Sequence, residues 1–219
     1  SLAQLDRAAE AIRAACRPVI VAGGGVHYSL AEAELAAFAE EFSIPVVETV
    51  AGKSSLLADH PCYAGAIGVT GADAANAVVA EADVVLAVGT RLQDFTTGSW
   101  SVFQNPEFKL IALNAARFDS HKHRALPVVG DAQAGLAELS AALQGWQGPD
   151  GWMKRGRDEY AKWNALVDQR SGPTNAELPS YAHVVGVRTV EFHVSNILGK
   201  LGAANRREAA ILAGNLGQG

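Results

Sequence analysis

The feature that most constrains the fold is a short apolar run that ends in three glycines. Residues 19–22 are all apolar, and residues 23–25 are all glycine. An unbroken apolar run is typical of a strand that helices cover on both faces, and glycines let another backbone approach closely. Ser29 and Glu32 then have the spacing of a capping box, which predicts a helix over residues 29–42. This order of strand, glycine turn and helix predicts the opening of an α/β domain.

The same alternation continues along the chain. Further strands are predicted at 44–48, 83–89, 109–114 and 127–131, and further helices at 3–16, 72–82 and 132–143. The glycine-containing stretch 49–71 is predicted to be irregular. The pattern predicts an α/β fold with a doubly wound, Rossmann-like parallel sheet of about six strands. Because ligands of such sheets bind beyond the carboxyl ends of the strands, the loops after Val21, Val47 and Val88 should share one edge.

Charge and composition change along the chain and suggest three parts. We predict an α/β domain over 1–145, a linker over 146–187 that contains one helix, and a small helical appendage over 188–219. The net charge is -5, but residues 1–150 hold nine basic and seventeen acidic side chains, whereas the appendage is net positive. The acidic body argues against nucleic-acid binding there and leaves it open for the appendage.

The cysteines and the hydropathy pattern bear on the compartment. Two cysteines in 219 residues do not suggest a disulfide framework, so a reducing cytoplasm is the simplest interpretation. No apolar run approaches the roughly 18–20 residues of a membrane span. We therefore expect a cytoplasmic protein without a membrane partner.

Two strand ends carry residues that suit the phosphates of a nucleotide. The candidate cofactor-binding residues are Gly23, Gly24, Gly25, Gly89, Thr90 and Arg91. The alternative for the glycines is a tight strand-to-helix turn without a ligand, and the alternative for the arginine is an ion pair with an acid at an interface. No catalytic residue and no metal site are predicted.

Several segments resemble the central domain of thiamine-diphosphate enzymes. The resemblance lies in residues 19–25, in Val84-Val-Leu-Ala-Val-Gly-Thr-Arg-Leu-Gln-Asp94 and in Gly130-Asp131. Within the family the chain is most similar to the trihydroxycyclohexane-dione hydrolases of inositol catabolism, which open a cyclic dione ring. That similarity lies in residues 51–55, 95–100 and 174–181, and the whole resemblance covers about residues 1–187.

The resemblance implies a division of labour between domains. In the family, a first domain supplies a glutamate that activates the cofactor, and a third binds diphosphate and Mg²⁺ through a Gly-Asp-Gly motif, which does not occur here. We therefore expect a fragment that provides the central scaffold, is inactive alone and does not bind thiamine diphosphate or Mg²⁺ by itself. The expected partners are the missing pyrimidine- and diphosphate-binding domains and further copies of the chain in a homo-oligomer. Some relatives hold FAD on this domain, which the hydrolase branch is not expected to need.

The end of the chain resembles the second half of a LuxR-type helix-turn-helix. The resemblance covers residues 187–213, and the first two helices of that motif are absent. It implies a recognition helix whose candidate DNA-binding residues are Arg188, Thr189, Glu191, His193, Asn196 and Lys200. The alternative is that its apolar stripe packs on the α/β domain or on a partner chain. A natural fusion or a rearranged reading frame would each produce such a switch near residue 187, and the alternative function is a transcription regulator with an α/β sensing domain.

Overall fold

A computed structural model describes residues 2–171 and contains one six-stranded sheet. All strands are parallel, in the order β3-β2-β1-β4-β5-β6. The strands are β1 (Pro18–Ala22), β2 (Val46–Glu48), β3 (Tyr63–Ala66), β4 (Val84–Val88), β5 (Lys109–Asn114) and β6 (Leu126–Val129). The predicted α/β class and the parallel sheet of about six strands are confirmed.

Helices connect the strands and cover both faces of the sheet. They are α1 (Leu2–Arg13), α2 (Gly24–Tyr28), α3 (Glu32–Glu41), α4 (Asp73–Glu81), α5 (Asp94–Thr97), α6 (Arg117–Ser120), α7 (Ala132–Ala142) and α8 (Trp152–Ser171). Two 3₁₀ turns lie at Val50–Gly52 and Lys122–Arg124.

The apolar runs became strands because both of their faces are buried. Every residue of β1 and β4 is buried, and their side chains alternate between two cores. Ile20 and Leu86 pack in the core that includes α1, α3 and α7, whereas Val19 and Val85 pack in the core that includes α4. Fully covered strands of this kind require apolar residues at every position.

The prediction of an irregular stretch over 49–71 was wrong in part, because β3 lies within it. Tyr63 pairs with Val46 of β2, and the Tyr160 ring of α8 meets the Tyr63 ring edge-on at 5.0 Å between centroids. The sequence of β3, Tyr-Ala-Gly-Ala, lacks the apolar run of the other strands. Its strand conformation depends on pairing with β2 and on the cover that α8 provides.

The predicted capping box and the single helix over 29–42 were also wrong. The chain forms α2, a break with Leu30 at φ 56°, and then α3, whose N-cap is Ala31 without a side-chain hydrogen bond. The Ser29 hydroxyl instead accepts a hydrogen bond from the Ala132 N–H at 3.3 Å, and the Glu32 carboxylate contacts His27. Both side chains therefore have partners outside the predicted capping box, and neither caps α3.

Helix α8 is the helix predicted within 146–187, and it packs against α4 and β3. Its first residue, Trp152, is buried and donates its indole N–H to the Pro18 carbonyl at 2.7 Å. This hydrogen bond attaches the start of α8 to the start of the central strand β1. Within the described residues, no helix combines the length and the apolar character that a membrane crossing would need.

The predicted appendage over 188–219 lies outside the described residues. So do the six candidate DNA-binding residues, the switch near residue 187 and the segment 174–181.

We predict that Trp152→Phe lowers the free energy of unfolding by about 2 kcal/mol, because it removes a buried hydrogen bond and some packing volume. Chemical denaturation followed by circular dichroism measures the change. Trp163→Phe is the control, since Trp163 is only partly buried on the same helix. An equal loss in both variants would contradict a specific role for the indole hydrogen bond.

Candidate functional site

The candidate site is a cavity of about 850 Å³ at the carboxyl ends of the strands, which we call the carboxyl-edge cavity. The loops after β1, β2, β4 and β5 line it. The loops after Val21, Val47 and Val88 thus lie at one edge of the sheet, as the sequence predicted. Its lining includes Gly24, Gly25, Thr49, Val50, Ala51, Gly89, Thr90, Arg91 and Asn114. The cavity therefore occupies the position at which parallel α/β sheets bind ligands.

Five of the six predicted cofactor residues line this cavity, and Gly23 lies just behind its wall. A Cβ on Gly25 would lie 2.5 Å from the Gly89 Cα, and a Cβ on Gly23 would lie 2.5 Å from the Thr90 Cβ. Neither position has room for a larger residue. The glycines thus allow the loops after β1 and β4 to touch each other, which by itself explains why they are glycines.

The N–H groups of the glycine turn are mostly engaged within the protein. Gly23 donates to the Val88 carbonyl and Gly25 to the Gly89 carbonyl, both at 2.8 Å. Two of the three N–H groups are therefore not free to bind a phosphate. The turn is tight and is held by hydrogen bonds within the protein.

Arg91 is the one charged residue among the six predicted cofactor-binding residues. Its side chain is exposed, and among residues 2–171 it has no ion-pair partner. The loop that carries it is fixed on both sides: the Thr90 hydroxyl accepts from the Leu92 N–H at 3.1 Å, and the Asn114 amide donates to the Thr90 carbonyl at 3.2 Å. A rigid loop thus holds an unpaired guanidinium at the cavity.

A buried carboxylate that the sequence did not single out holds the opposite wall in place. Glu48, at the end of β2, is fully buried, and one of its oxygens accepts from the Leu56 N–H at 2.9 Å. Lys53 Nζ lies 3.7 Å from the other oxygen and donates to the Tyr63 hydroxyl at 2.9 Å. Burial raises the pKa of Glu48, and the nearby Lys53 charge lowers it by less. The side chain fastens the loop that carries Thr49 to Ala51.

A second polar group attaches the same loop to α2 and α3. His27 Nδ1 lies 2.8 Å from a Glu32 carboxylate oxygen, and Nε2 lies 3.1 Å from the Lys53 carbonyl and 3.4 Å from the Ser55 hydroxyl. The order serine, histidine, acid resembles a hydrolytic triad. However, Ser55 is 2% exposed and donates its proton to the Gly52 carbonyl at 2.5 Å. The group is a structural connection, and no regular sequence spacing could have revealed it.

We predict that Gly25→Ala destabilises the fold by about 2 kcal/mol or more, because its Cβ would meet the backbone of the loop after β4. The thermal unfolding midpoint of the purified variant measures the loss. Gly130→Ala is the matched control, since a Cβ there has no atom within 4 Å. Equal midpoints for Gly25→Ala and the unmodified chain would show that the two loops can separate freely.

We predict that Glu48→Gln changes how stability depends on pH. Burial raises the pKa of Glu48 above its ordinary value of 4.5. The contribution of Glu48 to the free energy of unfolding is therefore fully present at pH values below 4.5 and is lost as the pH rises through the raised pKa. The stability of the unmodified chain relative to Glu48→Gln should therefore fall as the pH rises above the ordinary value of 4.5. Urea titrations across this range measure it, with the exposed Glu138→Gln as control. A constant difference would contradict the raised pKa.

Comparison with known proteins gives two family matches. The model described as "Thiamine pyrophosphate enzyme, central domain" matches residues 5–139, which extend from α1 into α7 and include the whole sheet. The model described as "Bacterial regulatory proteins, luxR family" matches residues 180–213, which lie outside the described residues.

The chain is also similar to curated enzymes named 3D-(3,5/4)-trihydroxycyclohexane-1,2-dione hydrolase. One from Clostridium perfringens is 46% identical over 141 residues, which is 64% of this chain and 22% of that enzyme. One from Bacillus cereus is 46% identical over 142 residues, which is 65% of this chain and again 22% of the enzyme. The chain thus matches about a fifth of the length of these relatives.

The match to the central-domain model spans more than half of the chain and all six strands. The Rossmann-like order of the sheet and the glycine contacts at its carboxyl edge are found within the matched residues. The chain belongs to the thiamine pyrophosphate enzyme family, of which it contains the central domain.

Proposed function

We propose that this chain provides the central scaffold domain of a thiamine-diphosphate-dependent hydrolase that opens the ring of a cyclic, inositol-derived dione. The observation that carries the proposal is the 46% identity to the trihydroxycyclohexanedione hydrolases over 141 residues. Identity of this extent includes loops as well as buried strands, and loops carry most of the functional differences within a fold. The cytoplasm is the proposed compartment, which suits the two free cysteines.

The cofactor of the family does not fit the residues described here. Mg²⁺ prefers several oxygen ligands, and residues 2–171 contain no group of three or more histidine, cysteine or acidic side chains that could hold a metal ion. The carboxylate that lines the carboxyl-edge cavity, Asp119, is paired with Lys122 at 2.6 Å. We therefore assign the binding of thiamine diphosphate and Mg²⁺ to other domains and derive no catalytic step from this one.

The role left to this domain is to hold its neighbours in place. Exposed apolar side chains stand around the carboxyl-edge cavity, among them Tyr28, Val50 and Phe95, which are 91%, 72% and 59% exposed. Apolar side chains grouped in this way favour contact with another protein surface. The proposed partners are the pyrimidine- and diphosphate-binding domains and further copies of the chain. FAD is not required, since most of the glycine-turn N–H groups are already engaged.

The alternative, a transcription regulator, has less support. It depends on the luxR-family match at residues 180–213, whereas the central-domain match extends over residues 5–139. DNA binding by the appendage remains a hypothesis that this proposal does not need.

We predict that residues 2–171, which include α8, can replace the corresponding segment of the Clostridium perfringens hydrolase with ring-opening activity retained within about tenfold of the parent enzyme. The assay supplies trihydroxycyclohexanedione, thiamine diphosphate and Mg²⁺, and the parent enzyme is the control. In the same assay, the chain by itself should give no turnover. A chimera that assembles normally but has no activity would overturn the proposed scaffold role. Turnover by the chain alone would overturn the assignment of catalysis to other domains.

A further inference from the structure

A second cavity lies at the opposite edge of the sheet, and neither the family match nor the proposed scaffold role uses it. It encloses about 650 Å³ between α1 and the amino ends of β5 and β6, and we call it the amino-edge cavity. Its charged lining consists of Arg7, Glu10, Lys109, His123 and Arg124. Three permanent cations and one histidine thus face a single carboxylate.

The positive charge at this cavity is opposite in sign to the net charge of the domain. Residues 1–150 hold nine basic and seventeen acidic side chains, and three of those nine basic residues line this one cavity. Within the described part of the chain, none of Arg7, Lys109 and Arg124 has an ion pair with a carboxylate. Unpaired cations held together repel each other, so an anion between them would stabilise the arrangement.

The backbone that presents Arg124 is in an unusual conformation. His123 and Arg124 both have positive φ, 59° and 58°, a region that side-chain-bearing residues rarely adopt and that costs about 1–2 kcal/mol per residue. The His123 ring packs on the Trp100 ring at 4.5 Å between centroids, which holds the turn in place. Strained backbone of this kind is often kept where a side chain must be presented to a ligand.

The rest of the lining is apolar. The wall beside the cations is formed by Phe108, which immediately precedes β5, by Leu110 of β5 and by Leu126 of β6. Phosphate groups bind well to clustered arginine and lysine, while an apolar wall suits the carbon part of a ligand.

From these observations we propose that the amino-edge cavity binds a small organic phosphate, with the phosphate at Arg7, Lys109 and Arg124 and the carbon part against Phe108. The proposal concerns the edge of the sheet away from the carboxyl-edge cavity and is independent of the proposed scaffold function. It assigns binding and no chemical step.

Isothermal titration calorimetry of the full chain at constant ionic strength tests the proposal, with inorganic phosphate and phenyl phosphate as probes. Both should bind saturably with dissociation constants below about 10 mM, and phenyl phosphate should bind more tightly because its ring can contact Phe108. Phenol, which lacks the phosphate, should give no saturable heat. The absence of saturable binding for both phosphates would overturn the proposal.

Variants distinguish phosphate binding in the cavity from attraction of phosphate to the overall charge of the protein. Arg124→Gly should weaken phenyl phosphate binding at least about fivefold, and its thermal midpoint without ligand should not fall, because glycine accepts a φ of 58°. Arg170→Gln is the control, since it removes one exposed positive charge on α8, away from the cavity. If Arg170→Gln weakens binding as much as Arg124→Gly, the attraction is to overall charge and the proposed site is wrong. The ring-opening assay of the chimera does not depend on either result.

Discussion

The architecture depends on the close contact between the loops that follow β1 and β4. These neighbouring strands pair along their whole length, and at their carboxyl ends Gly25 donates a hydrogen bond to Gly89 across a gap with no room for a Cβ. Because the two loops touch, the carboxyl edge is closed at the centre of the sheet. The surrounding loops then form the cavity wall. A motif that in other α/β proteins cradles phosphate here mainly joins two loops.

Buried polar groups fix the next loop along the edge. Glu48 has no exposure to solvent, and burying a carboxylate costs free energy unless hydrogen bonds and opposite charge offset it. The Leu56 N–H and the Lys53 ammonium offset part of that cost, and burial outweighs them, so the pKa of Glu48 is raised. His27 connects the same loop to α2 and α3. Such connections determine one loop conformation among many that would be similarly compact. A precise edge is what a scaffold domain must present to its neighbours.

The two edges of the sheet therefore suit different roles. The carboxyl edge carries exposed apolar side chains and the exposed Arg91, which favours contact with other protein surfaces. The amino edge carries clustered cations, one of them on a strained turn, and this arrangement favours a small anion. Fold alone implies neither role, because unrelated functions share this architecture. The scaffold assignment comes from the similarity to the hydrolases over the matched residues, and the anion assignment comes from the side chains at the amino edge.

The sequence alone determined the fold class and the central strands, because residues buried on both faces must be apolar whatever their neighbours are. It also identified which strand ends meet. Tertiary structure decided the rest. Residues 63–66 form a strand only because β2 pairs with them and α8 covers them, and Ser29 leaves its predicted cap to bond with Ala132, 103 residues away. The polar groups around Glu48 and the basic amino-edge cavity likewise join distant segments. Local patterns of apolar residues indicate which segments are buried. The partner of a polar side chain is determined only when distant segments come together in the folded chain.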